Sequence, residues 1–220
     1  METRAPLILS GCLITGMLAI SGWAWLALPE TARIATHFDI SGHANGYMGK
    51  AAALLIAPAF AAVLTVAMAL LPRFTRRKEN LAQSASAYVT GWLGTLVVLF
   101  VSHCGVILLA RGYKVDIAGT GVLVPSLLFV VLGNVLGKTR PNPFVGVRTY
   151  WTKRSELSWD KSNRLGGRLL VATGLASLAT LAVSGALAAR LMLLGGIAVL
   201  AAACTAMSYI YWQRDPNRQT

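Results

Sequence analysis

Arg140, Arg148 and Arg164 lie in a stretch, Gly133 to Arg168, that holds eight of the chain's twenty Lys and Arg residues. A guanidinium is a planar fork of donors that stays charged, suited to carboxylates, phosphates and peptide carbonyls. Lys138 adds a point charge, and Trp151 and Trp159 add aromatic faces. Glu156 is one of two acids in the stretch, with Asp160 a helical turn later. A pair from Glu156 to Arg148 or Arg140 would hold the stretch in one shape. This is chemistry for recognising an anion or a peptide. The same charges also suit lipid headgroups, where each basic residue near an anionic surface is worth about 1 kcal/mol.

A second set of chemically able residues lies nearer the N-terminus. His37, Asp39 and His43 are adequate ligands for zinc or copper. Gly42, Gly46 and Gly49 argue instead for a tight turn in which His37 satisfies backbone groups, or for a loop that meets an external ligand. No metal and no cofactor are expected. His103, between Ser102 and Cys104, is the one ionisable residue well inside an apolar span. It either bonds a carbonyl of a neighbouring helix or lies on a proton or ligand path. Cys12, Cys104 and Cys204 lack metal-ligand spacing and read as small core residues. The chain has no HExxH, no GxSxG and no aspartate pair within a span, so a catalyst is not expected.

The elements that must position these residues are apolar. The chain is 55% hydrophobic and 13% charged, against about 25% charged in soluble proteins. The reading is an all-α polytopic membrane protein of six transmembrane helices, at 6–28, 51–71, 84–110, 119–136, 169–188 and 191–212. Each is long enough to cross a hydrocarbon core of roughly 30 Å at about 1.5 Å per residue. The first run ends in Trp23, Trp25 and Pro29, interfacial anchors and a helix stop, so it is expected to be retained and not cleaved. Pro58 predicts a kink in the second. The fifth and sixth, rich in Ala, Gly and Ser with Arg190 between them, predict a tight hairpin. Gly133 and Gly137 have GxxxG spacing, but a lone instance does not establish a dimer, and the oligomeric state stays open.

Pro141 and Pro143, with Gly137 and Gly146, exclude a continuous helix through the first half of the basic stretch, while the second half can be helical from about Ser155. Six spans put both ends on one side. Fifteen Lys and Arg then fall on that side and five on the other. Positive charge stays inside, so both termini and the basic loop 137–168 are cytoplasmic and the 29–50 loop is external. The net charge of +12 does not indicate direct nucleic-acid binding, since no soluble groove-entering element accompanies it.

The stretch 28–50, LPETARIATHFDISGHANGYMGK, which contains the external loop, resembles a short domain of unknown function. Its pattern is Leu-Pro, His-Phe-Asn, Gly, Asp-Gly-Tyr and a Lys entering the next helix. Leu28, Pro29, His37, Phe38, Gly42, Gly46, Tyr47 and Lys50 match, with Asp39 where Asn is usual and Asn45 where Asp is usual. The basic stretch, GNVLGKTRPNPFVGVRTYWTKRSELSW, resembles the signature of the SdpI family, membrane immunity proteins against a secreted sporulation-delaying peptide toxin. Asn134, Gly137, Lys138, Arg140, Pro141, Asn142, Phe144, Gly146, Arg148, Thr149, Trp151, Thr152, Ser155, Glu156 and Trp159 stand on pattern positions. The sequence departs at Tyr150, where Pro is common, and at Ser162-Asn163-Arg164, where Thr-His-Arg is common. Asn163 could not carry a proton-transfer or metal role of that His.

The resemblance implies a two-span unit, 1–83, with an external motif loop, followed by an SdpI-like four-span unit, 84–220. It implies a non-enzymatic protein of the bacterial cytoplasmic membrane that confers resistance to a membrane-active peptide toxin and signals by holding a cytoplasmic repressor at the bilayer. The inner-loop residues expected to meet such a partner are Asn134, Lys138, Arg140, Asn142, Arg148, Thr149, Trp151, Glu156, Trp159 and Arg164. On the outer loop they are His37, Asp39, Asn45, Tyr47 and Lys50. The alternative is a membrane-embedded enzyme or a small-molecule or ion transporter, for which matching broken helices in two halves would be needed. Pro58 and Pro125 alone interrupt the spans, and the halves show no repeat.

Overall fold

A computed structural model describes residues 2–219. Five helices are long and apolar enough to cross a membrane. In chain order the elements are α1 (Arg4–Ala27), β1 (Arg33–Phe38), β2 (Ala44–Gly49), α2 (Lys50–Leu70), a 3-10 turn Leu71–Phe74, α3 (Lys78–Gln83), α4 (Ala85–Ala110), α5 (Ile117–Leu136), a second 3-10 turn Thr152–Arg154 and α6 (Glu156–Gln213). The first four apolar runs are helices whose ends differ by at most two residues from the sequence boundaries. Both α2 and α5 continue through an internal proline, Pro58 and Pro125.

Two features depart from the sequence reading. The 29–50 loop is not all turn: β1 and β2 pair antiparallel, Arg33 opposite Gly49 and Phe38 opposite Ala44, with bulges on either side of His37. The chain is therefore mostly helical, not all-α. The second departure concerns the last two apolar runs, which form the single 58-residue α6, broken at Gly185 with φ 82° and ψ 179°. Only glycine takes such a conformation without strain. The arms on either side fold back on each other: Ser158 Oγ donates to the Ser208 carbonyl at 2.7 Å, and a Cβ on Gly196 would run into Thr173. The reversal thus lies at Gly185, inside the fifth expected span, and Arg190 belongs to the second arm instead of the turn.

The exterior is oily and the polar groups are inside, the distribution a lipid solvent favours. Ile8 and Val63 are each 67% exposed, whereas Ser10, Ser126, Ser158, Ser162, Asn163, Ser177 and Ser208 are at 0%. One core cluster joins Met17, Ala61, Leu81, Tyr88, Trp92 and Leu96, with Phe144 and Val145 of the basic loop packed against it. A second joins Ala24, Ile34, Ala53, Leu54 and Ile107, seating the β-hairpin on α1, α2 and α4. Glycines set the approach of α5 to α6: a Cβ on Gly133 would lie 2.6 Å from the Gly167 carbonyl oxygen, and one on Gly174 the same distance from that of Ser126. The first glycine of the GxxxG pair is thereby used within the chain.

Candidate functional site

The basic stretch folds into a platform at one end of the bundle because its polar residues bond inward. Proline at 141 and 143 keeps the backbone out of helix, and Asn142 closes the turn that results. Its Oδ1 accepts from the backbone of Phe144 and Val145 at 2.8 and 2.9 Å, and its Nδ2 donates to the carbonyls of Arg140 and Val145 at 2.8 and 3.0 Å. The turn is fixed to the α3–α4 corner, where Asn80 Nδ2 donates to the Pro141 carbonyl at 2.8 Å and the Arg140 N–H donates to Ser84 Oγ at 2.9 Å. Phe144 then meets Tyr88 edge-on, with ring centroids 6.2 Å apart.

Gly146 is the pivot. Its φ is +127°, and a Cβ there would lie 2.8 Å from Asn163 Oδ1 and 2.9 Å from the Trp159 ring. Past it, the Val147 N–H donates to Asn163 Oδ1 at 2.7 Å, Asn163 Nδ2 donates to the Trp159 carbonyl at 2.9 Å, and Trp159 Nε1 donates to the Thr139 carbonyl at 3.0 Å. Thr149 and Thr152 exchange bonds, the Thr149 N–H to Thr152 Oγ1 at 2.9 Å and the Thr152 N–H to Thr149 Oγ1 at 3.1 Å. Ser155 caps α6, accepting from the Ser158 N–H at 2.9 Å, while its own hydroxyl donates to Asp215. That donation and the N–H groups of Asn217 and Leu157 hold the Asp215 carboxyl below its ordinary range despite the covering of its own chain.

The expected partner-binding residues therefore divide. Asn142 and Trp159 are buried, Thr149 is half-buried, and all three are framework. Asn134, Lys138, Arg140, Arg148, Glu156 and Arg164 are exposed. Trp151 is half-buried, its ring 5.2 Å from that of Tyr209. Glu156 does not pair with Arg148 or Arg140: it takes part in none of the three ion pairs among the described residues. It sits in the first turn of α6, where the helix dipole favours its charge. The loop's acidic partner is Asp160, which holds Arg164 by two bonds of 3.0 and 3.2 Å. Sequence reasoning missed Ser84, Thr152 and Asp215 as framework, since their partners lie far along the chain or form only once the platform has folded.

At the opposite end, Asp39 closes the tip of the β-hairpin by accepting from the N–H groups of His43 and Ser41 at 2.9 and 2.8 Å. These bonds, that of His43 foremost, hold its carboxyl below the ordinary value. The His43 ring lies 3.6 Å from Asp39, but the His37 ring faces Asn45 Oδ1 at 3.3 Å. Among the described residues no three His, Cys, Asp or Glu side chains are grouped to hold a metal ion. Tyr47 is exposed, while Lys50 is buried at the start of α2, donating at 2.8 Å to both the Leu28 carbonyl and Glu30. Arg190, which the sequence reading put in the turn between the last two spans, clamps the tip: its guanidinium donates to the carbonyls of Asp39, Ile40 and Ala118.

His103 knots three helices. Ser21 Oγ lies 2.7 Å from the Leu54 carbonyl and 2.8 Å from His103 Nε2. The serine has one hydrogen and the carbonyl can only accept it, so Nε2 must carry a proton and donate. The bond thus fixes the ring's tautomer and joins α1, α2 and α4.

Residues 138–208, which contain the platform from Lys138 onward and most of both arms of α6, match the SdpI/YfhL protein family. Residues 12–62, containing the β-hairpin, match DUF1648, a domain of unknown function. Over 82 residues the chain is 30% identical to the Immunity protein SdpI of Bacillus subtilis (strain 168). That match takes in 36% of this chain and spans 38% of that relative's length. No solved structure matches.

Proposed function

We propose that this chain, which carries an SdpI/YfhL-family domain behind an N-terminal DUF1648 domain, is an immunity protein of the bacterial cytoplasmic membrane. It protects the cell against a membrane-active peptide by binding, and it relays the peptide's presence by holding a cytoplasmic repressor. The observation that carries this reading is the family match over 138–208, which includes most of the cationic platform. With α6 folded at Gly185, its two arms count as two crossings, six in all. The charge count of fifteen against five then directs the platform and both ends to the cytoplasm and the β-hairpin outward.

The two ends divide the work. The hairpin, with His37, Asp39, Asn45 and Tyr47, faces the peptide. Arg140, Arg148, Trp151 and Glu156 form the partner-facing side of the platform, beside a cleft of about 620 Å³ that Arg77, Arg140, Lys153, Arg154 and Glu156 line. Bidentate donation from Arg148 to a carboxylate or a peptide carbonyl is the contact the fork geometry favours. The test is to challenge cells that lack the protein, and cells that overproduce it, with a panel of membrane-active peptides. Deletion sensitises and overproduction protects against at least one; equal survival of all strains against every peptide refutes the reading.

A further inference from the structure

We propose that the groove between the C-terminal end of α5 and the first arm of α6 is a binding site for one anionic phospholipid. The groove has a volume of about 860 Å³, within the roughly 300–1,000 Å³ of ligand clefts. Its mouth at the platform end carries Lys138, Arg140, Arg164 and Arg168, and Asp160 is the one acid lining it. Asp160 is spent on Arg164, whose guanidinium it holds by two bonds. Lys138, Arg140 and Arg168 make no ion pair among the described residues. Three uncompensated cations around one opening call for an anion with several acceptor oxygens, the chemistry of a phosphate.

The wall of the groove distinguishes a lipid phosphate from a free one. Beyond Arg168 it continues along Val171 and Leu175, and Leu175 is 53% exposed. Seven residues of helix separate Arg168 from Leu175, roughly 10 Å at about 1.5 Å per residue, so the wall descends from the membrane interface into the depth of the acyl chains. A soluble anion would leave that wall uncovered, whereas a phospholipid matches the cations with its headgroup and the wall with one chain. The floor is closed where α5 and α6 touch at Gly133 and Gly167; a Cβ on either would lie 2.6 Å from the other's carbonyl oxygen. The site stands independently of the immunity reading, because it rests on the groove alone.

The test uses the full-length protein purified in a neutral detergent, with phosphatidylglycerol, phosphatidylcholine and inorganic phosphate as separate probes, read by native mass spectrometry and by thermal shift. Phosphatidylglycerol binds at one equivalent and at least tenfold more tightly than phosphatidylcholine, and inorganic phosphate at millimolar concentration does not displace it. Removing two charges at the mouth with Lys138→Gln and Arg168→Gln lowers phosphatidylglycerol affinity at least tenfold, while Arg73→Gln, which does not line the groove, leaves it unchanged. Should the double variant not fold, Arg168→Gln alone lowers affinity at least threefold. Equal affinity for the two lipids, displacement by inorganic phosphate, or unaltered binding by the charge variants overturns the proposal.

Discussion

At the scale of single residues, the platform's polar side chains divide into those that build it and those that face outward. Asn163 is at 0% exposure with both ends of its amide engaged. Asn163→Leu therefore strands the Val147 N–H and should lower stability by about 1–3 kcal/mol. Asn163→His keeps a ring nitrogen to accept from Val147 and should cost less. Thermal unfolding in detergent checks both, and a Leu variant as stable as wild type contradicts the assignment. Arg148 is the opposite case, exposed and held by one long 3.5 Å bond to the Phe144 carbonyl. Arg148→Lys keeps the charge and loses the fork, so it should impair protection or signalling at unchanged protein level; full function would reduce the loop to headgroup contact. The sequence could not separate these two roles. Asn142 and Trp159 look like binding residues within a cationic loop, and their inward direction depends on the pivot at Gly146 and on α3, some sixty residues earlier.

At the scale of elements, hydrophobic length made the first four helices legible, proline and glycine predicted the irregular loop, and a helix was expected from about Ser155, where α6 is capped. The β-hairpin escaped notice because three glycines and a charged tip suggested a turn, while its short strands alternate too weakly to register. The reversal in α6 was misplaced for a related reason: Arg190 looked like the charge in a turn. It is instead the clamp on the hairpin tip, reaching the carbonyls of Asp39 and Ile40 across 151 and 150 residues and that of Ala118 across 72. Arg190→Ala should free the tip and speed amide exchange at residues 41–43 about tenfold, the equivalent of about 1.4 kcal/mol. Hydrogen exchange by mass spectrometry reads this directly. Unchanged exchange would mean that the Asp39 bonds alone hold the tip.

At the scale of the whole molecule, the chain leaves large apolar side chains such as Ile8 and Val63 on its exterior and buries Ser10, Ser126, Ser158, Ser177, Ser208, His103 and Asn163, and each end carries cations stacked on aromatic rings. Arg111 lies over Trp23 at one end, and Arg154 lies over Tyr150 at the other. These are interfacial anchors, and they predict the depth of both ends in a bilayer. A reporter inserted near Gly42 should be external and one fused after Thr220 cytoplasmic; the reverse pattern would exchange the roles of hairpin and platform. Immunity by binding also predicts a dose relation that turnover does not, because each copy can neutralise only a fixed amount of peptide. The most direct measurement expresses the protein at graded levels in cells challenged with a peptide to which deletion sensitises them, and recovers the peptide for intact mass. The account predicts that the tolerated peptide dose rises in proportion to protein level while the recovered peptide keeps its full mass. Tolerance that does not follow protein level, or peptide recovered as fragments whose formation stops in a Glu156→Gln variant, would contradict it.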